Sequence, residues 1–467
     1  MSHLFAIAVF ALLILLLFAF QRERKVRTSK ALWIPTFWVM ICASRWVSEW
    51  FRPNSQIPNA AQLLEGSPLD RFIMSGLLAA GLIVLLCRMR RVTAILRMNW
   101  PILLFFSYCL VSVLWSDYPG VALKRWVKGL GDVVMVLVVL TDKEWLWSIK
   151  RLLARVGILL IPLSIMLIEF FPTIGRTYSP EDGAMTYTGV TQNKNTLGML
   201  CLIVGLAAVW RLVVLYRNNY KRSRQFIAHG IVLALVVWLL IMSGSMTSLL
   251  CFLSASGFIV AVNLPGRPKT LRIHLTAGAI AGGALLVFLL PNALAMVTHA
   301  VGRNATLTGR TALWSALLKM KINPWFGTGF ASFWLGNRLE EIWTFFVWYP
   351  NEAHNGYLGV YLNLGWVGIA LLGFLLITGY RNVAAAFRRH PEVGSLMLGF
   401  YVTAIFYNFS EEAFRLNDPI WIFFLMAIMK IPALYSGRYS HPRRALEEET
   451  FQEKIAESTV PIHEGVV

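Results

Sequence analysis

Long apolar runs separated by short polar connections recur along this sequence almost from end to end. They lie near 3–20, 31–44, 71–87, 101–116, 121–140, 156–171, 195–215, 226–243, 246–263, 273–291, 355–379, 393–410 and 419–435. Most approach the roughly 20 residues a helix needs to cross a bilayer, and 31–44 is the short one. The expected fold is therefore all-α and polytopic, with about 12–13 transmembrane helices. Two connections are longer, 172–193 and 292–354. The second is too long for plain loop in a compact protein and should carry helices of its own. Within it, Arg310–Ile322 sets Leu313, Trp314, Leu317, Leu318 and Ile322 on one side at helical spacing. The Asn323-Pro324 step should end that helix, because the residue before a proline is pushed out of the α region. The chain divides into helices 1–10 over 1–291, a large loop over 292–354, helices 11–13 over 355–435 and a polar tail over 436–467.

Composition supports a membrane solvent. The chain is 57% hydrophobic and only 14% charged, with mean hydropathy +0.61. A soluble domain carries about 25% charged residues, so a soluble enzyme, a secreted disulfide scaffold and a disordered chain are excluded. The net charge of +19 comes from basic blocks between apolar runs, such as Arg22–Lys30, Arg88–Arg97, Lys143–Arg155, Arg217–Arg224, Arg267–Arg272 and Arg381–Arg389. Alternating the spans from an outside N-terminus puts all of these on the cytoplasmic side, as the positive-inside rule expects. The blocks largely lack the aromatic interleaving of a nucleic-acid platform, so no nucleic-acid partner is expected. Positive charge follows the first apolar run rather than preceding it, which reads as a retained helix and not a cleaved signal. The five cysteines fall in apolar segments or at their ends, without CxxC or zinc spacing, and read as small hydrophobes.

The charges on the other side are more informative. Lys124, Arg125, Lys128, Arg176, Lys194, Arg303, Arg310, Lys319, Lys321, Arg338 and Arg415 all map to the outer face in this topology. Glu181, Asp182, Glu340, Glu341, Glu352, Glu411 and Glu412 share that face and could simply pair with them. Clustered around one large loop, the set instead favours an anionic ligand, since the arginine fork can make two parallel bonds to phosphate. There is no DxD, HxH or HExxH, so no metal and no cofactor are expected. Gly327-Thr328-Gly329 is either a plain loop or a turn offering backbone N–H groups to phosphate. His354, where the large loop meets the next apolar run, is either an interfacial histidine at a helix start or a group exchanging protons near neutral pH.

His354-Asn355, nine residues, Gly365, two residues and Gly368 resemble the H-N-x9-G-x-x-G signature of the O-antigen ligase family. Upstream, Gly309-Arg310-Thr311-Ala312-Leu313-Trp314 and Asn323-Pro324-Trp325-Phe326-Gly327-Thr328-Gly329 are similar to the family's GR-x-x-x-W and P-x-x-G-x-G segments. Weaker echoes are Trp115-Ser116-Asp117-Tyr118-Pro119, Gln192-Asn193-Lys194-Asn195 and Asn408-Phe409-Ser410-Glu411-Glu412. The likeness runs from about residue 110 to 420 and is most specific between 303 and 368.

The resemblance implies a C-type glycosyltransferase-like bundle with a helical periplasmic loop in the bacterial inner membrane. It implies an undecaprenyl-diphosphate-linked glycan donor and a lipid A-core sugar hydroxyl as acceptor, or another lipid-linked glycan in Wzy-like and exopolysaccharide polymerases. It further implies metal-independent transfer with His354 as base and Arg310 on the diphosphate, helped by Arg125, Arg176 or Arg303. Asn355, Gly365, Gly368 and Glu411 would be supporting residues of the motif. In some ligases a basic residue follows the small-residue turn late in the bundle, whereas here Ser243-Gly244-Ser245 precedes Met246. That departure leaves Arg125 or Arg176 to supply the contact and tilts the reading toward a polymerase. A lipid-glycan transporter would instead call for repeated halves and ionisable residues at the bilayer midplane.

Overall fold

Helices make up nearly all the regular structure in the computed structural model, which describes residues 3–21, 26–51, 66–178, 183–220, 223–263, 308–346 and 348–435. Two compact units divide the chain at Met429. The second, from Lys430, contains one short described helix, Pro432–Tyr435.

In the first unit, seven described helices are long and apolar enough to cross a membrane. They are His3–Gln21, Pro68–Leu86, Trp145–Phe170, Lys194–Arg217, Arg224–Ser243, Met246–Asn263 and Gly356–Arg389. An eighth candidate is the pair Met89–Met98 and Trp100–Trp115, bent by 88°. This is a multi-pass, largely α-helical membrane protein. Among the described residues, fewer helices than the expected 12–13 meet that length and apolarity, for physical reasons. Trp33–Cys42, Pro391–Tyr407 and Pro419–Ile428 are helices at expected places but are short. Pro119–Leu140 has the length but carries Lys124, Arg125, Lys128 and Asp132. The expected span at 273–291 lies outside the described residues, as do the first part of the large loop and the 436–467 tail.

Lys194–Arg217 is the most enclosed long helix, with 89% of its apolar window buried, whereas His3–Gln21 keeps only 11% buried. Small residues bring neighbours close to the central helix. Gly198 meets Ser245 and Ser248, Gly205 meets Phe252, and Gly157 of Trp145–Phe170 meets Val204. Where lipid tails are as apolar as leucine, such close backbone approach supplies the attraction between helices. Asp132 ties a second region together. Its buried carboxylate accepts from Trp38 Nε1 at 2.9 Å and from the backbone N–H of Asn417 at 2.8 Å.

The described part of the large loop, from residue 308, carries helices of its own. Thr308–Lys319 covers most of the expected Arg310–Ile322 helix but stops before the Asn323-Pro324 step. Leu313 and Leu317 are fully buried against Phe333, Leu339, Ile342, Ala353 and Leu362, while Leu318 is 62% exposed, so the buried face is narrower than the sequence suggested. A second helix, Gly336–Phe345, contributes Leu339 and Ile342 to this small core.

Main-chain bonds join the loop to the long helix Gly356–Arg389. That helix unwinds at Gly365, whose φ of +65° lies in the left-handed region. The Trp366 and Val367 N–H groups, freed by the kink, donate to Pro324 and Trp325 carbonyls at 2.9 and 3.1 Å. In return, Thr328 and Gly329 donate to Leu362 and Asn363 carbonyls at 3.1 and 2.8 Å. A Cβ at Gly365 would lie 2.2 Å from the Trp325 carbonyl oxygen, so only glycine fits. The Trp115–Pro119 segment holds the loop from another direction. Trp115 Nε1 donates to the Phe326 carbonyl at 3.1 Å, Ser116 and Ser332 hydroxyls lie 2.7 Å apart, and Asp117 pairs with Arg338.

Candidate active site

The chain from Pro350 to Asn355 delivers His354 beside the first turn of the helix Gly356–Arg389. Asn355 caps that helix, its Oδ1 accepting from the Leu358 N–H at 2.9 Å while its Nδ2 donates to the Phe409 carbonyl at 3.2 Å. The Gly356 N–H donates to the Asn408 and Glu411 carbonyls at 2.9 and 3.1 Å. Asn408 organises the turn opposite. Its Oδ1 accepts from Ala413 and Phe414 N–H groups, both at 2.8 Å, and its Nδ2 reaches the Ala404 carbonyl at 2.7 Å. Two segments more than fifty residues apart in sequence are thereby set face to face.

Glu411 stands at the centre of this junction, 4% exposed. One carboxylate oxygen, Oε2, lies 3.1 Å from His354 Nδ1. The other accepts from an Arg310 guanidinium nitrogen at 2.6 Å and from Asn195 Nδ2 at 3.0 Å. Arg310 also donates to the Ser410 carbonyl, and its side chain remains 24% exposed. A second carboxylate approaches the same imidazole nitrogen, with Glu352 Oε1 at 3.2 Å. Its other oxygen pairs with Arg415. Glu412 is buried beside them, accepting from the Ala353 N–H at 2.6 Å. The Trp348 ring centroid is 5.6 Å from that of His354.

These contacts set the protonation states. Burial opposes charge on His354, but the Glu411 hydrogen bond and the charges of Glu352 and Glu411 outweigh it and hold the imidazole above its ordinary value. Burial would raise Glu411, yet its bond to His354 and the nearby Arg310 keep it below the usual carboxylate range. Burial pushes Glu412 up to about 7, with Arg415 pulling the other way. With Nδ1 turned to two carboxylates, a neutral ring carries its proton there and presents the Nε2 lone pair.

Glu352, His354 and Glu411 also place ligand atoms within 4.8 Å of one another, a spacing open to a divalent ion. The charge pattern opposes that use. Each carboxylate already has an arginine on its other oxygen, so an incoming cation would meet two guanidinium groups.

The structure thus brings together His354, Asn355, Glu411 and Arg310. It gives other residues different surroundings. Arg125 donates to the Ala331 carbonyl at 2.5 Å, a bond that docks the loop. Arg176 begins a short antiparallel hairpin, Arg176–Tyr178 with Met185–Tyr187, and donates to the Ile168 carbonyl at 2.9 Å. Arg303 lies outside the described residues. Gly365 and Gly368 shape the helix, a Cβ at Gly368 falling 2.2 Å from that of Leu364. The N–H groups of Gly327, Thr328 and Gly329 are spent on the Asn323, Leu362 and Asn363 carbonyls, which makes that turn a docking loop and not a phosphate cradle. Glu352 and Arg415 were visible in the sequence only as two outer-face charges among many. The spacing of Glu352, two residues before the histidine, was the signal that could have singled it out.

Residues 230–373 match the family described as O-antigen ligase, a stretch that includes Arg310, His354, Asn355, Gly365 and Gly368. The chain is also similar to the exopolysaccharide production protein ExoQ of Rhizobium meliloti (strain 1021), with 24% identity over 285 residues. That match covers 59% of this chain and 63% of the relative, so it spans less than two thirds of the relative's length. Together with the motif order and the membrane bundle, these matches show that the chain is similar to the O-antigen ligase family over residues 230–373.

Proposed function

We propose that this protein is a metal-independent, inverting glycosyltransferase with a C-type-like bundle, facing the periplasm from the bacterial inner membrane. It moves a glycan from an undecaprenyl-diphosphate-linked donor to a sugar hydroxyl, in the manner of an O-antigen ligase. The observation that carries this reading is one shared carboxylate: Glu411 holds His354 through one oxygen and Arg310 through the other. A base and a diphosphate-binding cation are thereby kept within one carboxylate's width.

The acceptor O–H gives its proton to Nε2 of His354 as its oxygen attacks the anomeric carbon, a contribution of typically about 10²–10⁴-fold. The bond from that carbon to the diphosphate oxygen breaks, and the electron pair leaves with the diphosphate. Arg310 stabilises the charge where it grows. Arg125, Arg176 and Arg303 are the further cations that the resemblance assigns to the donor, and Arg125 and Arg176 would meet it beside the bonds they already make to the Ala331 and Ile168 carbonyls. A second reading changes only the acceptor. The named role of the relative in exopolysaccharide production favours transfer to another lipid-linked glycan, as in a polymerase.

Purified protein incubated with a lipid-diphosphate glycan and an acceptor should release the lipid diphosphate. His354→Ala should lower turnover while leaving donor affinity nearly unchanged, because a proton acceptor acts chiefly in the transition state. Full turnover in that variant sinks the assignment. Deleting the gene separates the acceptors: lipopolysaccharide loses its long chains if the protein is a ligase, and a free exopolysaccharide disappears if it is a polymerase.

A further inference from the structure

Nδ1 of His354 faces two carboxylates, Glu411 at 3.1 Å and Glu352 at 3.2 Å. Each carboxylate is anchored through its other oxygen by an arginine, Arg310 on Glu411 and Arg415 on Glu352. The two arms are not equivalent. Arg310 is the cation assigned above to the donor diphosphate, so in the loaded enzyme Glu411 shares its partner with a strongly charged anion. Arg415 belongs to the turn ahead of Pro419 and has Asp418 3.8 Å from its Nε in addition to Glu352. The Glu352 arm therefore keeps its anchor whatever binds at Arg310.

We propose that Glu352 is the positioning residue that holds the His354 ring and balances the imidazolium formed during transfer, with Arg415 as its anchor. The proposal rests on His354 acting as the base. Proton transfer places a positive charge on the ring, and a fixed carboxylate at the opposite nitrogen stabilises it as it forms.

The backbone around the histidine shows how Glu352 is delivered. His354 has φ of +47°, a conformation that residues other than glycine seldom adopt. Such a conformation persists where its surroundings over-determine it. Here the flanking peptides are pinned on both sides. The Ala353 N–H is held by Glu412 at 2.6 Å, the Ala353 carbonyl by Trp314 Nε1 at 2.8 Å, and Asn355 caps the following helix. With the chain fixed this way, residues 352 and 354 turn their side chains to one another.

Among the described residues, the charged and titratable groups facing the ring are Glu352 from its own loop, Arg310 from Thr308–Lys319, and Glu411 and Glu412 from the turn after Pro391–Tyr407. Arg415 acts through Glu352 and Glu412. Of the two carboxylates within reach of Nδ1, Glu352 is the one whose removal leaves the Glu411–Arg310 pair intact.

The test compares wild type with Glu352→Gln and Glu352→Asp. Glu352→Gln should lower kcat by about tenfold or more with donor KM nearly unchanged. It should also move the acid limb of the kcat profile about one pH unit lower, because the base loses a neighbouring negative charge. Glu352→Asp keeps the charge and shortens the reach, so kcat should fall while the acid limb stays in place. NMR of labelled histidine in detergent, assigned with His354→Ala, reads the same titration without any turnover. An unmoved His354 titration in Glu352→Gln overturns the proposal, as does a raised donor KM with unchanged kcat. If Glu352→Gln does not insert, wild-type kcat in Glu352→Asp overturns it instead. Failure here, in an enzyme whose turnover still needs His354, leaves the proposed function standing.

Discussion

Replacing Arg310 with alanine should produce two effects that a second substitution can pull apart. The first is structural. Glu411 is 4% exposed and would lose its guanidinium partner, keeping Asn195 and His354, while the Ser410 carbonyl would lose its bond from Arg310. Breaking a buried ion pair from one side costs about 3–5 kcal/mol. The Arg310 side chain is 24% exposed, so the lower end of that range, about 3 kcal/mol, applies. The second effect is on the donor. Losing a hydrogen bond to a charged group costs about 1.5–3 kcal/mol, which corresponds to an affinity loss of about 10- to 150-fold. Combining Arg310→Ala with Glu411→Gln removes the stranded carboxylate and should restore most of the stability, but not donor binding or turnover. Arg310→Lys should rescue binding only in part, because an ammonium keeps the charge and loses the fork. The assay is unfolding in detergent beside donor binding and initial rate for the three variants. If the double variant recovers turnover, Arg310 serves only to balance Glu411 and its role at the diphosphate is refuted.

Other outcomes follow from the same geometry. Turnover should fall on acidification with a midpoint above about 6.5, since His354 is raised above that ordinary value and only its neutral form accepts a proton; a midpoint near 5 in a kcat–pH profile contradicts the assignment. Catalysis should survive excess EDTA, because both carboxylates near His354 are already matched by arginines; activity lost to chelation and restored by Mg²⁺ or Mn²⁺ would instead place an ion there. Gly365→Ala should lower the yield of folded protein, with about 1–2 kcal/mol from the left-handed backbone and more from the clash with Trp325. Protease accessibility of the 308–346 loop in intact protein would read that loss, and unchanged protection would contradict the docking described here.

Much of the helical framework could be read from the chain because a bilayer encodes helix length directly in apolar run length. Reading fails where charge is satisfied by distant partners. Pro119–Leu140 looks like an ordinary span in its second half, yet Asp132 is stabilised there by Trp38 and Asn417, residues 94 and 285 positions away. The site divides in the same way. His354, Asn355 and Arg310 could be singled out through motif spacing, which is local. Their relation through Glu411 could not, since Arg310 and Glu411 are 101 positions apart and only folding brings them to 2.6 Å. The two-glycine turn at 327–329 illustrates a third limit. A phosphate cradle and a docking loop need the same residues, and only the identity of the carbonyls receiving those N–H groups separates the two.

That docking loop has a consequence for how this chain can diversify. Apart from the Thr328 hydroxyl, which donates to the Leu362 carbonyl at 3.1 Å, the bonds joining 323–329 to 362–367 run between main-chain atoms, so they do not depend on the side chains of Trp325 and Phe326. Trp325 and Phe326 are 63% and 46% exposed, and their rings project from a segment whose position is already secured. Those two rings can change without breaking the main-chain join, so surface chemistry and structural integrity are written in different atoms of the same seven residues.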